Sequence, residues 1–233
     1  MGAVTTCPAH AKKTGAPLRG IFITFEGGEG AGKSTQIKRL AERLQKDGFE
    51  VLQTREPGGT PGAEAVRHVI LSGGAEPFGT DMEAILFAAA RNDNVQNIIK
   101  PALEAGKIVL CDRFMDSSRV YQGITGDVGM DMVLEMERAV TEDARPDLTL
   151  IFDLEPKLGL KRAAEVWQDD GPDRFEKEDV SQQEARRQGF LKIAAEEPDR
   201  CVVIDASKSL KEVSAAVDKA IDDLLAKRKE PKK

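Results

Sequence analysis

A glycine-rich stretch that directly follows a short apolar run is the feature that most constrains this chain. The run Ile21–Phe25 is apolar and partly β-branched, which predicts a buried strand. The following residues read FEGGEGAGKST and contain the pattern G-x-x-x-x-G-K-S over residues 27–34. Apolar residues then recur at helical spacing through residues 34–47. A strand, this loop and a helix in that order predict a P-loop, and therefore an α/β fold.

Each residue type in this loop suits the binding of a nucleotide triphosphate. Glycine has no Cβ, so phosphate oxygens can approach the backbone N–H groups closely. The next helix directs its N-terminus, with its partial positive charge, at the same anion. We expect Lys33 to contact the β and γ phosphates and to be catalytic, and Ser34 to hold Mg²⁺. The predicted ATP-binding residues are Gly27, Gly28, Glu29, Gly30, Ala31, Gly32, Lys33, Ser34 and Thr35.

Strand and helix patterns alternate along the rest of the chain. Further short apolar runs at residues 51–54, 108–111, 148–154 and 201–204 predict four more strands. Between them, Thr80–Glu83, Ser181–Glu184 and Ser209–Glu212 match the capping box and predict the starts of three helices. Met130–Val140 is also predicted to be helical. This alternation predicts a five-stranded parallel sheet flanked by helices, the three-layer P-loop NTPase fold.

Composition limits the domain organisation and the partners. The chain has 233 residues and a net charge of −6, which argues against a dedicated nucleic-acid binder. No apolar stretch reaches the ~18 residues of a membrane span. The three cysteines include no CxxC pair, which favours a reducing, cytoplasmic location. We predict an irregular arm over residues 1–18, one domain over 19–226 and a basic tail over 227–233.

Three clusters further along the chain predict a second anionic substrate. Arg55 follows the second strand, and Asp112 and Arg113 follow the third, so all three are expected at the carboxyl edge of the sheet. Asp112 is placed to hold Mg²⁺ through water. Phe87 and Arg91 share one face of a helix, where a ring and a guanidinium can hold a base. Each has a plainer interpretation: a core ring, a surface charge or a structural ion pair.

A P-loop alone does not name a reaction. A GTPase would need Asn-Lys-x-Asp, and the sequence contains no Asn-Lys pair. A kinase for another nucleoside monophosphate or for a deoxynucleoside stays possible, because Glu26 or Glu29 could serve as the base that a nucleoside requires. A switch protein that binds ATP and hydrolyses it slowly is a third interpretation.

The combination of motifs resembles the thymidylate kinases. FEGGEGAGKST, TREPGGT, LFAAAR, DRF followed by Ser118 and YQG, and DRFE occur in the order and spacing of that family, from about Ile21 to about Leu225. The resemblance implies that ATP and dTMP give ADP and dTDP with Mg²⁺. It also implies a homodimer.

The resemblance further implies a role for each matching residue. Glu29 would contact the deoxyribose 3′-hydroxyl, and Tyr121 would crowd the ribose 2′ position. Arg55 and Arg113 would hold the dTMP phosphate, with Arg113 also catalytic. The implied dTMP-binding residues are Glu29, Arg55, Phe87, Arg91, Arg113, Ser118, Tyr121 and Gln122, and the implied metal-binding residues are Ser34 and Asp112.

The catalytic arginine is expected in a lid. The family carries this arginine either in the P-loop or in a lid, and the variable positions of this P-loop contain none. The expected lid covers residues 159–176, where Arg162 and Arg174 are the only arginines. We predict Arg162 as the main transition-state arginine and Arg174 as the second.

Overall fold

The computed structural model describes residues 20–141, 143–165 and 179–229. The predicted arm, Cys7, most of the predicted lid and Arg174 therefore lie outside the described residues. The last described helix runs to Lys229, which carries regular structure into the predicted tail.

The described residues form a parallel sheet with the strand order β2-β3-β1-β4-β5. All four strand pairings are parallel, so the predicted fold class is confirmed. The strands end within two residues of their predicted limits. They are β1 (Ile21–Gly27), β2 (Val51–Arg55), β3 (Ile108–Asp112), β4 (Leu148–Asp153) and β5 (Cys201–Asp205).

α-Helices, together with 3₁₀ and π-helical turns, connect the strands. The α-helices are α1 (Lys33–Lys46), α2 (Pro61–Leu71), α3 (Thr80–Asn94), α4 (Lys100–Glu104), α5 (Met115–Ser118), α6 (Met130–Thr141), α7 (Pro156–Ala164), α8 (Val180–Glu196) and α9 (Leu210–Lys229). A 3₁₀ turn covers Glu76–Phe78, and π-helical turns cover Val95–Ile99 and Arg119–Ile124. None of the helices described here is both long and apolar enough to cross a membrane.

The sheet has an apolar core on each face. Alternate β1 side chains enter opposite cores, because successive strand residues point to opposite faces. Phe25 packs with Leu40 of α1 and Val217 of α9 on one face. Phe22 packs with Ile99 and Phe114 on the other, and the Phe22 and Phe114 rings meet edge to face at 4.8 Å. Both faces of β1 are therefore buried, which leaves only the strand ends for chemistry.

Two of the three predicted capping boxes are wrong. Gly79 caps α3 without a side-chain hydrogen bond, and Thr80 is already the first helical residue. Asp179 caps α8, where its carboxylate accepts a hydrogen bond from the Gln182 N–H at 2.9 Å. The cap therefore lies one residue before Thr80 in α3 and two residues before Ser181 in α8.

The third predicted capping box is confirmed at the start of α9. Ser209 Oγ accepts a hydrogen bond from the Glu212 N–H at 3.3 Å, and Glu212 Oε2 accepts one from the Ser209 N–H at 3.0 Å. These two reciprocal bonds satisfy backbone donors that the first turn of the helix leaves without helical partners.

Candidate active site

Three neighbouring strands bring the predicted motifs to one edge of the sheet. In the register, Phe25 of β1 lies beside Asp112 of β3, and Asp112 lies beside Arg55 of β2. The P-loop leaves β1 at the same edge, after Gly27. Loops at the carboxyl ends of parallel strands form the ligand crevice of open α/β sheets. Sequence-distant motifs therefore meet at one place.

A cavity of about 660 Å³ opens at this edge, within the size range of small-molecule sites. The predicted residues that line it are Glu29, Gly30, Ala31, Gly32, Lys33, Ser34, Thr35, Arg55, Phe87, Asp112, Arg113, Ser118, Tyr121, Gln122 and Arg162. Gly27, Gly28 and Arg91 do not line it. Lining residues to which the sequence analysis gave no role are Glu56, Pro57, Arg67, Leu71, Ser117 and Ala163.

Lys33 is folded back over the P-loop. Its Nζ donates hydrogen bonds to the Gly27 carbonyl oxygen at 3.1 Å and the Gly28 carbonyl oxygen at 2.8 Å. Burial and the charge of Arg113 lower the pKa of Lys33, against the opposing effect of Glu29. The lysine is therefore held at the floor of the cavity, where phosphate oxygens could replace the two carbonyls as its partners.

Ser34 and Asp112 meet across the cavity floor. Ser34 Oγ donates a hydrogen bond to Asp112 Oδ2 at 2.8 Å. A hydroxyl and a carboxylate are the hard oxygen donors that Mg²⁺ prefers. The described residues contain no cluster of three or more Asp, Glu, His or Cys side chains able to hold a metal ion by themselves. The pair thus fits an ion that takes its remaining ligands from phosphates and water.

Arg113 connects the end of β3 to the P-loop. Its backbone adopts φ 64°, a left-handed conformation that residues other than glycine adopt uncommonly, while its N–H donates to the Phe25 carbonyl oxygen at 2.9 Å. The guanidinium is ion-paired with Glu29 and donates to Ser117 Oγ at 3.3 Å. Burial by itself would raise the pKa of Glu29, but the positive charges of Arg113 and Lys33 lower this pKa by more, so it lies below the usual value. Glu29 is accordingly a carboxylate at neutral pH.

Arg55 and Arg67 add positive charge to the side of the cavity nearest α2. Arg55 is the last residue of β2, and its Nη2 lies 3.1 Å from both carboxylate oxygens of Glu64. Its side chain is 54% exposed, so this ion pair is weak and can exchange for another anion. Arg67 donates to the Pro57 carbonyl oxygen at 2.9 Å. The sequence analysis named Arg55 but gave no role to Arg67.

Arg91 is buried beside the cavity and has two partners within the protein. Its side chain is buried, and Nε donates to Glu56 Oε2 at 2.6 Å while Nη2 donates to the Phe114 carbonyl oxygen at 3.0 Å. Burial raises the pKa of Glu56 even though Arg91 opposes the shift. Phe87 lines the cavity, whereas Arg91 lies behind its wall. Arg91 therefore has a structural partner, Glu56, that the sequence did not indicate.

Helix α7 packs directly on the P-loop. A Cβ at Gly30 would lie 2.0 Å from the Gly159 carbonyl oxygen, and a Cβ at Gly159 would lie 2.4 Å from the Glu29 carbonyl oxygen. Only two glycines permit such close backbone contact. One turn further along α7, Arg162 lines the cavity and donates to the Ala206 carbonyl oxygen at 2.9 Å. The contact between Gly30 and Gly159 thus sets the position of α7 on the P-loop, and with it the point from which the Arg162 side chain extends.

A π-helical turn presents Tyr121 and Gln122 to the cavity. The turn covers Arg119–Ile124, directly after α5, and Ser118 lines the same wall. π-turns are rare and are frequently found at functional sites. The Tyr121 ring centre lies 5.3 Å from the Arg113 guanidinium carbon. Ser118, Tyr121 and Gln122 thus form one continuous segment of the cavity lining.

Glu26 is a buried carboxyl group behind the cavity. Its two oxygens accept hydrogen bonds from the Phe114 N–H at 2.7 Å and the Ser117 hydroxyl at 2.6 Å. Burial, helped by the charge of Asp116, raises the pKa of Glu26 to about 7. Glu26 does not line the cavity. It orders the start of the segment that carries the predicted acceptor-site residues.

The raised pKa of Glu26 predicts a pH dependence of stability. A carboxyl group whose folded pKa lies above its unfolded value stabilises the fold at low pH, and this contribution is lost as the pH rises from about 4.5 to about 7. We expect the unfolding free energy of Glu26→Gln, relative to the unmodified protein, to rise by on the order of 1–3 kcal/mol between pH 5 and pH 8. Urea unfolding at both pH values measures this. Glu42→Gln, which removes an exposed carboxylate from α1, is the surface control; an equal pH dependence in the two variants would refute the assignment.

Comparison with known proteins agrees with this geometry. The family model described as thymidylate kinase matches residues 25–217. A thymidylate kinase of Bradyrhizobium sp. strain ORS 278 is 54% identical over 217 residues, covering 93% of this chain and 96% of that protein. A thymidylate kinase of Bradyrhizobium sp. strain BTAi1 is 53% identical over 209 residues, covering 90% and 92%.

A solved structure gives the same result at the level of the fold. The crystal structure of thymidylate kinase from Ehrlichia chaffeensis superposes with a TM-score of 0.69 at 34% identity, covering 87% of this chain and 98% of that one. The strand order and the cavity are consistent with these matches, which cover most of the chain. The chain belongs to the thymidylate kinase family.

Proposed function

We propose that this protein transfers the γ-phosphoryl group of Mg²⁺-bound ATP to dTMP, giving ADP and dTDP. The observation that carries the proposal is a cavity whose lining combines P-loop residues 29–34 with Arg55 and Arg113 from neighbouring strand ends. The P-loop suits a triphosphate, and the two guanidiniums suit a second phosphate. A cavity built for two phosphorylated ligands fits phosphoryl transfer between them better than it fits binding of one nucleotide.

The acceptor needs no general base in this reaction. A monophosphate oxygen is already anionic, so catalysis depends on alignment and on neutralising charge in the transition state. Lys33 would leave the loop carbonyls for the β and γ phosphates of ATP. Arg113 would hold the acceptor phosphate, and Arg162 would approach the transferred group from α7. The cavity brings these three cations together from three different elements.

Ser34 and Asp112 would hold the Mg²⁺ ion. Their oxygens are hydrogen-bonded to each other at 2.8 Å and face the P-loop. When bound, the ion would neutralise charge on the ATP phosphates. We also propose Asp112 as the residue that orders water around the ion, since its carboxylate is the stronger acceptor of the two.

The nucleoside of dTMP would lie between Phe87 and the wall formed by Ser118, Tyr121 and Gln122. Phe87 is half-buried and presents a ring to the cavity, so a thymine base can stack on it. Glu29 would accept a hydrogen bond from the deoxyribose 3′-hydroxyl. Arg91 is engaged with Glu56 and Phe114, so its proposed contact with the base edge would use the part of the guanidinium that these bonds leave.

A deoxynucleoside kinase is supported less well by the same cavity. Such an enzyme needs a carboxylate base near the 5′-hydroxyl of its acceptor. Glu26 is fully buried and lies behind Ser117, outside the lining. Glu29 lines the cavity, but its pairing with Arg113 and the net lowering of its pKa make it a poor base. These positions favour an acceptor that brings its own negative charge.

The test is ADP formation measured with one acceptor at a time, in the presence of ATP and Mg²⁺. The acceptors are dTMP, dUMP, dCMP, dAMP, dGMP, UMP and thymidine. We expect dTMP to be preferred, dUMP to be slower, thymidine to be inactive, and EDTA to abolish turnover. Preference for another monophosphate would refute the base-site assignment alone. Slow turnover that no acceptor stimulates would refute the proposed function and favour a nucleotide-dependent switch.

We further propose that the protein is a cytoplasmic homodimer that pairs through the surface around α3. Met82 and Ile85 lie one turn apart on α3 and are 40% and 49% exposed. Phe78, in the turn before α3, is 69% exposed. Helices α2 and α6 both pack against α3, and they contribute exposed Val69 and Met132. Large apolar side chains grouped in this way favour an interface.

The buried free thiols Cys111 and Cys201 support a reducing compartment.

The change Ile85→Glu should weaken this dimer strongly. A symmetric interface would place the new charge in an apolar contact twice, once from each copy. We expect the dimer dissociation constant to rise about a hundredfold or more, since burying an unpaired charge costs several kcal/mol. Sedimentation velocity across a concentration series measures it. Leu210→Glu, at a more exposed apolar position at the start of α9, should leave the dimer intact; loss of the dimer in both variants, or in neither, would contradict the assignment.

A further inference from the structure

Arg186 is a buried arginine on α8 that lies next to the cavity without lining it. Only 6% of this residue is exposed, and arginine is seldom buried so deeply. Its guanidinium carbon lies 4.1 Å from the centre of the Tyr121 ring. Tyr121 itself lines the cavity. Arg186 therefore supports a cavity wall from behind.

The packing of α8 fixes this arginine over the ring. A Cβ at Gly189 would lie only 3.2 Å from Val120, so the glycine lets α8 approach the π-helical turn closely. Phe190, one turn after Arg186 on the same helix, meets the Tyr121 ring edge to face at 6.4 Å. Arg113 contacts the same ring at 5.3 Å. Three side chains from two elements thus hold the only tyrosine of the chain.

The charge of Arg186 also acts on the sugar end of the site. With Arg113 and Lys33, it contributes to the lowered pKa of Glu29. Tyr121 is faced by the cations Arg113 and Arg186 and by the carboxylates Glu29 and Glu26. Burial raises the pKa of the Tyr121 phenol, while the two arginines oppose that shift. A cation over a buried aromatic ring is an attractive contact that restrains the ring.

We infer that Arg186 is a specificity-determining positioning residue, which holds the Tyr121 ring against the sugar and thereby excludes acceptors with a 2′-hydroxyl. This inference rests on the proposed function, since it assigns Tyr121 to the sugar of a nucleoside monophosphate. Arg186 acts through Tyr121 and touches no substrate. A ring held on one side by Arg186 and Phe190 cannot withdraw from a larger sugar, so the additional oxygen of a ribonucleotide meets a rigid wall.

The first experiment reads the contact without any substrate. Because Tyr121 is the only tyrosine, tyrosine labelled with ¹³C at the ring carbon bearing the hydroxyl gives one resonance to follow as its phenol titrates. Arg186→Met keeps the length of the side chain and removes the charge. We expect a smaller phenolate fraction at about pH 10.5 than in the unmodified protein, because a cation that favours the ionised form is gone. Circular dichroism at the same pH confirms that each protein is folded.

Two further variants control this measurement. Arg187→Met removes the neighbouring charge, which pairs with Asp153 instead, and should leave the Tyr121 titration unchanged. Arg186→Gln also removes the charge, should lower the phenolate fraction of Tyr121 in the same direction, and serves if Arg186→Met does not fold. A Tyr121 titration that responds equally to changes at Arg186 and Arg187 would overturn the assigned contact.

The second experiment reads specificity as the ratio of kcat/KM for dUMP to kcat/KM for UMP. We expect Arg186→Met to lower this ratio about tenfold, since a buried cation–π contact is worth about that factor or more, while kcat with saturating dTMP changes little. Arg187→Met should keep the ratio. An unchanged ratio in Arg186→Met, with an active wild-type enzyme, would refute the inference alone. If the unmodified protein phosphorylates no monophosphate, the proposed function fails instead, and the titration still decides whether Arg186 controls Tyr121.

Discussion

Replacing Arg113 by glutamine is expected to lower kcat/KM for dTMP by about a thousandfold or more, because Arg113 is the proposed partner of the acceptor phosphate. A charge-assisted, bidentate contact to a phosphate is among the strongest single interactions a side chain makes. Arg113 already lies between the P-loop and the Tyr121 wall, paired with Glu29. Losing it also leaves Glu29 repelling the incoming anion.

The loss should appear in the acceptor parameters of Arg113→Gln. We expect the KM for dTMP to rise and kcat to fall, with the affinity for an ATP analogue, measured by calorimetry, almost unchanged. Arg138→Gln is the matched control, since Arg138 is 68% exposed on α6 and pairs only with its helical neighbour Glu135 among the described contacts; its kinetics should equal those of the unmodified protein. A selective loss of ATP affinity in Arg113→Gln would place this arginine on the donor side and contradict the proposal.

The strands were predictable because β1, β3 and β4 are buried on both faces. Buried parallel strands read as short continuous apolar runs, and the runs in this sequence stand out between charged helices. The helix starts were less predictable. Thr80 and Ser181 each match the capping pattern, but Gly79 and Asp179 lie upstream and take the cap position. The pattern identifies a helix start to within two residues and no better.

The P-loop part of the candidate site could be located from the sequence, because its motif consists of consecutive residues. The P-loop needs only eight consecutive residues and their flanking elements, and its lysine and serine lie in the cavity as predicted. The position of Arg113 at the edge of the sheet was predictable for the same reason, since the residue directly follows a buried strand. The unusual φ of Arg113 was not predictable, because no neighbouring residue type signals it.

The contacts between distant segments were not predictable from one sequence. The Glu56 side chain is the partner of Arg91, and Arg186 reaches Tyr121 from a helix that begins after the lid. Nothing in the local spacing of these residues indicates which arginine meets which partner. The close contact of Gly30 with Gly159 is of the same kind. Such pairings follow from how helices pack on the sheet, so they become visible only in the folded chain.

The close contact of α7 with the P-loop leads to the prediction for Arg162. The start of the proposed lid helix packs closely on the P-loop, because neither Gly159 nor Gly30 has a side chain to separate the two backbones. Arg162 lies one turn beyond that contact, lines the cavity and holds the Ala206 carbonyl oxygen through one Nη atom. A neutral carbonyl oxygen binds a guanidinium more weakly than a phosphate oxygen does, so Arg162 can exchange one for the other. Arg162 is therefore placed to turn toward the phosphoryl group as charge develops on it.

Arg162→Ala is expected to lower kcat by about a thousandfold, with little change in the KM for dTMP. An arginine that meets the substrate mainly in the transition state contributes to kcat and not to ground-state binding. Lys161→Ala is the matched control, because Lys161 is the adjacent, exposed cation on α7; its kcat should be unchanged. Steady-state kinetics at saturating ATP measure both variants. If Arg162→Ala keeps its kcat, Arg162 is not the transition-state arginine, and Arg174 becomes the next candidate. If the KM rises while kcat holds, Arg162 binds the ground state.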